Sequence, residues 1–195
     1  MTAIVLAGGK SSRMKTNKAL LSLGEKTIIE GIIDKLRDLF PEIILVTNTP
    51  EEYRFLGLPM VGDVFQQVGP LAGLHAGLLA ASSPHVFAVA CDMPFLNLDL
   101  IRYMQEQMDG YAVVVPRLGE LIEPMYAIYS KECLAPIERK LQAGEHKIIS
   151  FYDSVSVRYI DQEEIERFGP AREIFFNVNT PEEYREAQRK KKTQA

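Results

Sequence analysis

The sequence is poor in the groups that staple or anchor a chain. Its two cysteines, Cys91 and Cys133, form no Cys-x-x-Cys pair and are too few for a disulfide framework. That excludes the disulfide-rich scaffolds and favours a reduced, cytoplasmic protein. No apolar run approaches the roughly 20 residues a membrane-spanning helix needs, which excludes an integral membrane protein of that kind. The apolar start is preceded by no basic segment and followed by no small-residue cleavage site, which argues against a secretory signal. Two common phosphate-binding patterns are also missing: there is no Gly-x4-Gly-Lys-Ser/Thr and no Gly-x-Gly-x-x-Gly. Net charge is −4, which argues against non-specific nucleic-acid binding.

What is present is an ordinary globular composition, 47% hydrophobic and 25% charged over 195 residues. That length predicts one domain burying about 70% of its unfolded surface. The positive charge is uneven. Lys10, Arg13, Lys15 and Lys18 fall within a stretch that has no acid before Glu25, and they surround glycines. A second basic cluster, Arg185 to Lys192, sits on the expected last helix and reads as a solvated helix end.

Strand and helix patterns alternate. Thr2–Ala7 is a short apolar run ending at Gly8-Gly9, as in a buried strand. From Thr27 a helical stripe runs through Ile28, Ile29, Ile32, Ile33, Leu36 and Phe40 to Pro41. Strands are expected at Glu42–Val46, Met60–Val61, His85–Cys91, Tyr111–Val115, Met125–Tyr129, Val155–Ile160 and Ile174–Val178. Helices are expected at Pro50–Leu56, Pro70–Ala81, Asn97–Met108, Lys131–Ala143, Lys147–Tyr152 and Pro181–Lys191, the last with Thr180 as its N-cap. Such alternation implies parallel crossovers and a three-layer α/β sandwich around a mostly parallel, Rossmann-like sheet. In such sheets ligands bind outside the carboxyl ends of the strands. The loops after Ala7 and after Cys91 both lie there.

The segment Leu6-Ala7-Gly8-Gly9-Lys10-Ser11-Ser12-Arg13-Met14-Lys15-Thr16-Asn17-Lys18 has the parts of a polyphosphate site. Glycines let the backbone turn and approach a ligand. Free amides and the two serines can donate to phosphate oxygens. Arg13 offers a bidentate fork and Lys18 a point charge. The competing reading is a surface turn with solvated lysines. Asp92 projects from a strand end, where one carboxylate suffices for Mg²⁺ if a nucleotide supplies the other ligands; a turn aspartate before Pro94 is the alternative. Asp63, after Gly62, is equally readable as a plain turn residue. Gly73 and Gly77 let their helix pack closely. His75 is a packed helix residue without a second histidine at ligand spacing. Cys91 is a small apolar filler rather than a nucleophile.

These motifs resemble those of pyrophosphorylase-type nucleotidyltransferases. The Leu-Ala-Gly-Gly-x-Ser-x-Arg-Met-x(3)-Lys opening, Gly69-Pro70-Leu71-Ala72-Gly73, Cys91-Asp92-Met93-Pro94-Phe95, and Asn177-Val178-Asn179-Thr180-Pro181-Glu182 follow the order and spacing of the molybdenum cofactor guanylyltransferase family. The resemblance runs from Met1 to about Gln188. It implies a sheet of the nucleotide-diphospho-sugar transferase type and one nucleotidyltransferase domain over 1–195, in which the part up to about Pro116 binds nucleotide and the rest completes the acceptor site. It implies transfer of GMP from GTP to molybdopterin, with Mg²⁺ as cofactor, no nucleic-acid or membrane partner, and room for other cofactor-biosynthesis proteins as partners.

By the same resemblance, Leu6, Ala7, Gly8 and Gly9 lie against the nucleotide, and Lys18 contacts its triphosphate. Asp63 contributes to nucleotide binding, Asp92 holds the metal, and Arg13, Lys18 and Asp92 are catalytic. The polar strand end at Thr47 or Asn48 faces base or ribose. Asn177 and Asn179 alternate along a strand end, share a face, and meet the acceptor; capping of the last helix is their other reading. Glu123-Pro124 occupies a similar family position with no assigned role. The family's glycine after Arg-Met is here Lys15, expected to be tolerated and exposed. Gly9 favours guanine over cytosine, because cytidylyl relatives more often show Leu-Ala-Ala-Gly. Two alternatives stay open: a cytidylyltransferase acting on molybdopterin or on a sugar or polyol phosphate, and a non-catalytic nucleotide-binding regulator on the same fold.

Overall fold

The computed structural model describes residues 1–8, 17–65 and 69–193. Strand β1 (Thr2–Leu6) is buried along its whole length. A small hairpin, β2 (Ser22–Leu23) and β3 (Lys26–Thr27), leads into α1 (Ile28–Arg37). Thr27 and Glu30 form a reciprocal capping box at the start of α1, which satisfies two otherwise orphaned amides. Then come β4 (Glu42–Val46), β5 (Met60–Val61), α2 (Pro70–Ala80), β6 (His85–Ala90) and α3 (Leu98–Glu106). The second half has β7 (Val113–Leu118), β8 (Leu121–Ile122), β9 (Tyr126–Ser130), α4 (Leu134–Gln142) and β10 (Val157–Asp161). It closes with the short helices α5 (Gln162–Ile165) and α6 (Ala171–Ile174) and the longer α7 (Pro181–Thr193).

The main sheet has the order β10-β7-β9-β6-β1-β4-β5, with β8 beside β7. Helices α1, α3, α5, α6 and α7 cover one face, around Val5, Ile29, Leu36, Ile101 and Ile174. The other face carries α2, α4 and the 3-10 turn Ile148–Ser154, around Ile4, Leu74, Ile137 and Phe151. The expected three layers are therefore present. Burial on both faces explains why β1, β4 and β6 read as nearly unbroken apolar runs.

Strands β1, β4, β5, β6, β7 and β10 point one way, but β9 runs antiparallel to both β6 and β7. Simple alternation did not predict this. The chain returns from β7 through a tight turn, too short for the crossover a parallel neighbour would need. The return is also irregular. Arg117 faces Ile122 and Val114 faces Ile128, so two residues of β7 stand opposite five of the returning chain. Glu123, Pro124 and Met125 form the resulting bulge, which lies at the carboxyl edge of the sheet.

Ile174–Val178 is not a strand. Ile174 ends α6, and the chain beyond it crosses the sheet edge without a ladder. Both flanks of β6 are already occupied, by β1 and β9, so no partner edge is open there. The apolar run is used instead as ring packing. Phe175 stands edge-on to Tyr126 at 5.2 Å and Phe176 lies 5.8 Å from Phe95. Pro50–Leu56 and Lys147–Tyr152 form 3-10 turns rather than α-helices, and Pro116 continues β7 rather than ending it.

Helix α2 is buried on nearly all sides and lies directly on β1 and β4. A Cβ on Gly77 would sit 2.6 Å from Ile4 Cδ1 and 3.2 Å from Val46 Cγ2; one on Gly73 would sit 3.1 Å from Leu6 Cδ2. Overpacking a core position costs about 1–3 kcal/mol. Gly77→Val is expected to destabilise by about 2 kcal/mol in denaturant unfolding. Gly31→Ala on α1, where a Cβ meets nothing within 4 Å, is expected to stabilise by up to about 1 kcal/mol. A neutral Gly77→Val would show that α2 is not seated so closely.

Candidate active site

The carboxyl ends of the parallel strands bring separated segments together. From β1 the chain winds to β4 and β5 on one side, then crosses by α2 to β6 on the other. The crevice at such a reversal is where open α/β sheets bind ligands. The segments that end there are Ala7-Gly8 after β1, Thr47-Asn48 after β4, Gly62-Asp63 after β5 and Cys91-Asp92 after β6.

Leu6 and Ala7 have buried side chains, one on each face of the sheet. Their backbone is engaged as well: Cys91 N–H donates to Leu6 O (3.2 Å), Ala7 N–H to Val46 O (2.8 Å), and Thr47 Oγ1 to Ala7 O (3.3 Å). They are a floor. Gly8 is the exposed residue of this strand end, with no atom of the described residues within 4 Å of where a Cβ would be. Gly9, Arg13 and Lys15 lie outside the described residues.

Asp63 and Asn48 hold each other. Asn48 Nδ2 donates to Asp63 Oδ2, and Asp63 N–H donates to Asn48 Oδ1, both at 2.9 Å. This fixes the two loop ends at the β4–β5 side of the crevice. Asn17 marks the far end of the opening loop. It donates to Tyr53 Oη at 2.8 Å and to Glu52 at 2.6 Å, and it caps the 3-10 turn Lys18–Leu20. Tyr53 is buried, and burial pushes its hydroxyl up to about 12, so it acts as a neutral anchor. Nothing in the local sequence marks Tyr53 for this part.

Lys18 Nζ donates to Asn179 Oδ1 at 2.8 Å, a contact between residues 161 apart. Val178 N–H donates to Asp92 O at 2.9 Å, which seats the closing segment on the loop after β6. Lys18, Asp92 and Asn179 thus belong to one cluster. Asn177 does not join it: its Nδ2 turns back to Phe175 O at 3.1 Å. The shared strand face expected for the two asparagines does not exist, because the segment is not extended in a ladder. Glu183 is a residue that sequence reasoning passed over. Its Oε2 accepts from Asn179 N–H (2.7 Å) and Thr180 N–H (2.8 Å), while Thr180 Oγ1 accepts from Glu183 N–H (3.2 Å). This capping box starts α7 and aims Asn179 at Lys18. The Thr-x-x-Glu spacing from Thr180 to Glu183 was the available signal.

The electrostatics single out Asp92. Burial raises its carboxyl above the ordinary range, the Lys18 ammonium pulls it back down, and Glu183 raises it further. Cys91 beside it is inert, since burial pushes its thiol up to about 12. His75 is enclosed in α2, with Nε2 3.0 Å from Glu138 Oε1 and Phe65 against its ring. It is therefore packed, as expected. Among the described residues no three of His, Cys, Asp and Glu gather as a metal cage. One half-buried carboxylate within reach of the Lys18 ammonium suits a metal of the magnesium type, which takes one or two carboxylates and completes its shell with phosphate oxygens and water.

A cation and a carboxylate held at the reversal point of such a sheet, beside an exposed glycine, is the layout of a nucleotidyltransferase. Residues 3–157 match the model of the MobA-like NTP transferase domain, and the chain belongs to that family. Enzymes of this class work with a divalent metal. The chain is 39% identical over 185 residues to the molybdenum cofactor guanylyltransferase of Syntrophotalea carbinolica, covering 94% of this chain and 88% of that one. It is 43% identical over 180 residues, with 92% and 88% covered, to a protein of Pelotomaculum thermopropionicum described as a probable molybdenum cofactor guanylyltransferase. The crystal structure of molybdopterin-guanine dinucleotide biosynthesis protein A from Archaeoglobus fulgidus superposes with a TM-score of 0.86 at 25% identity, over 99% of this chain and 100% of that one. Among the described residues, no helix is long and apolar enough to cross a membrane.

The raised Asp92 carboxyl yields a stability prediction. The folded state holds this proton more tightly than the unfolded chain does. Its carboxylate therefore weighs against folding as pH rises from the ordinary range near about 4 through the raised value. Asp92→Asn removes that cost. Without metal or nucleotide, the variant is expected to melt at or above the wild-type temperature at neutral pH, and the difference is expected to shrink as pH falls. A variant that melts well below wild type would show that the carboxylate is a structural partner instead.

Proposed function

We propose that this chain transfers GMP from GTP to the terminal phosphate of molybdopterin, forming molybdopterin guanine dinucleotide and releasing pyrophosphate. The observation that carries this reading is the meeting of Lys18, Asp92 and Asn179 at the end of β6. It joins the opening nucleotide segment to the closing acceptor segment, in a chain whose relatives bear that activity in their names. The part up to about Pro116 serves the nucleotide, and the remainder completes the acceptor site.

The acceptor phosphate attacks the α-phosphorus in line. A new P–O bond forms there, the bond to the β-phosphate oxygen breaks, and pyrophosphate leaves with the electron pair. A phosphate near neutral pH is already ionised, so the protein need not supply a base. Its work is alignment and charge neutralisation. Gly8 and Gly9 let the backbone come close to the nucleotide, above the floor of Leu6 and Ala7. Asp63, steadied by Asn48, holds the nucleotide from the β4–β5 side. Lys18 and Arg13 draw charge from the reacting centre and the leaving group. Asn179 orients Lys18 and borders the acceptor; Asn177, its amide turned back to Phe175 O, takes no part in that contact. Mg²⁺ held by Asp92 would supply charge neutralisation at the phosphate oxygens. The two free cysteines suit a reducing compartment, and the cytoplasm is the proposed location.

Asp92→Asn and Lys18→Ala are expected to lower turnover by about 100-fold or more while leaving the fold intact. The check is pyrophosphate release from GTP with molybdopterin as acceptor. Near-normal turnover in a folded variant would remove the role. In thermal unfolding with Mg²⁺, GTP at 100 times its dissociation constant should add about 2.7 kcal/mol, and CTP, ATP and UTP should add far less. Stabilisation by CTP instead would make the protein a cytidylyltransferase on the same fold.

A further inference from the structure

Lys18 stands in a short stretch, residues 17–22, that distant side chains grip at several places. Asn17 is fixed by Tyr53 and Glu52, and the Lys18 ammonium by Asn179. A further grip has no part in the reaction as described. Tyr184 Oη donates to Ser22 O at 2.5 Å, a bond between residues 162 apart. It comes from the same place as the grip on Lys18. Asn179 immediately precedes Thr180, which caps α7, and Tyr184 N–H closes the first turn on Thr180 O at 3.0 Å.

The hairpin leaves Ser22 O open to such a donor. Ser22 stands opposite Thr27, and Leu23 opposite Lys26. Opposed pairs in an antiparallel ladder alternate between bonded and non-bonded. Ile28 N–H reaches Leu21 O at 3.0 Å, so the next pair, Ser22 with Thr27, is the non-bonded one. Thr27 N–H goes to Glu30 instead. Ser22 O points out of the hairpin, and α7 lies there. Two turns further along α7, Lys191 Cγ is 3.9 Å from where a Cβ on Gly24 would stand.

The link from Ser22 back to Lys18 is short and stiff. Leu20 N–H donates to Asn17 O at 3.2 Å and Leu21 N–H to Lys18 O at 3.1 Å, which closes the 3-10 turn, and Ala19 within it is fully buried. A turn closed in this way passes a shift at one end on to the other. Tyr184 therefore governs where the Lys18 side chain starts, and Asn179, held by Glu183, governs where its ammonium ends. The Tyr184 ring packs against the core while its hydroxyl is spent on backbone. Misplacing a group that meets the reacting atoms by about 1 Å can cost about 100-fold in rate.

We propose that Tyr184 is a positioning residue for the transfer: its hydroxyl, through Ser22 and the turn behind it, sets the Lys18 ammonium against the reacting phosphates. This rests on the guanylyl-transfer reading through the part given there to Lys18.

The test is a double-mutant cycle of Tyr184→Phe, Lys18→Ala and the pair, read as pyrophosphate release with molybdopterin as acceptor and GTP, CTP, ATP or UTP as donor. Phenylalanine keeps the ring in the core and removes only the hydroxyl, so the melting temperature is expected to fall by about 4 °C at most. Turnover of Tyr184→Phe is expected to fall about tenfold, with the nucleotide KM within about twofold of wild type, because Lys18 acts on charge that develops in the transition state. In the Lys18→Ala background the same change is expected to cost less than about twofold. A full tenfold cost in that background would overturn the proposal, since the hydroxyl would then act on something other than Lys18. So would unchanged turnover in Tyr184→Phe, or a loss carried by KM alone. The donor accepted by wild type decides the guanylyl reading separately. Release with CTP and not GTP ends that reading, while the cycle run with CTP still decides the role of Tyr184. A wild type that releases pyrophosphate with no donor overturns both.

Discussion

At Gly77 a methyl group would stand 2.6 Å from the end of Ile4, so α2 rests on β1 almost backbone to side chain. Much of the crevice depends on that approach. Helix α2 is the crossover that carries the chain from the β5 edge to β6, across the face of β1 and β4. Lifting it would move the loop after β5 away from the loop after β1. Gly73, one turn earlier, lies near both Leu6 and Asp63, so one contact line serves the core and the crevice wall together.

The crevice built on this frame is an electrostatic compromise. Its carboxylate is held partly out of water, which alone would favour the proton. Lys18 reverses part of that effect, and Lys18 is itself steered by Asn179 rather than by a carboxylate. A neutral amide orients the ammonium without neutralising it, which leaves its charge available for phosphate oxygens. Glu183 is spent on backbone amides at the start of α7, where the helix dipole favours a negative charge. The arrangement suits a highly charged substrate better than a neutral one.

The second half of the sheet departs from regular winding, and the departure matters. An antiparallel strand inserted between β6 and β7 brings a bulge to the edge where a parallel strand would simply end. The hydrogen-bonded tyrosines beneath it connect that bulge to the 3-10 turn after α4. The β4–β5 side of the crevice is thus made of plain strand ends, and the β6–β9 side of a braced excursion and a closing segment.

Much of the first half was legible in the residues. Strands buried on both faces must be apolar throughout, so β1, β4 and β6 stood out, and α1 showed its stripe and its cap. Asp92 and Lys18 could be singled out as candidates too, because a carboxylate at a strand end and a cation beyond a glycine pair carry their chemistry locally. Strand Ile174–Val178 was misread because an apolar run does not say whether it buries against a ladder or against rings. The pairing of Asn177 with Asn179 failed with it. Alone, then, the sequence determined where each segment hides its apolar groups and which residues are candidates to meet a phosphate. The tertiary structure decided which of them meet: Lys18 with Asn179, and Val178 with Asp92. Those contacts depend on strand order and register, which many separate residues set together and no local pattern encodes.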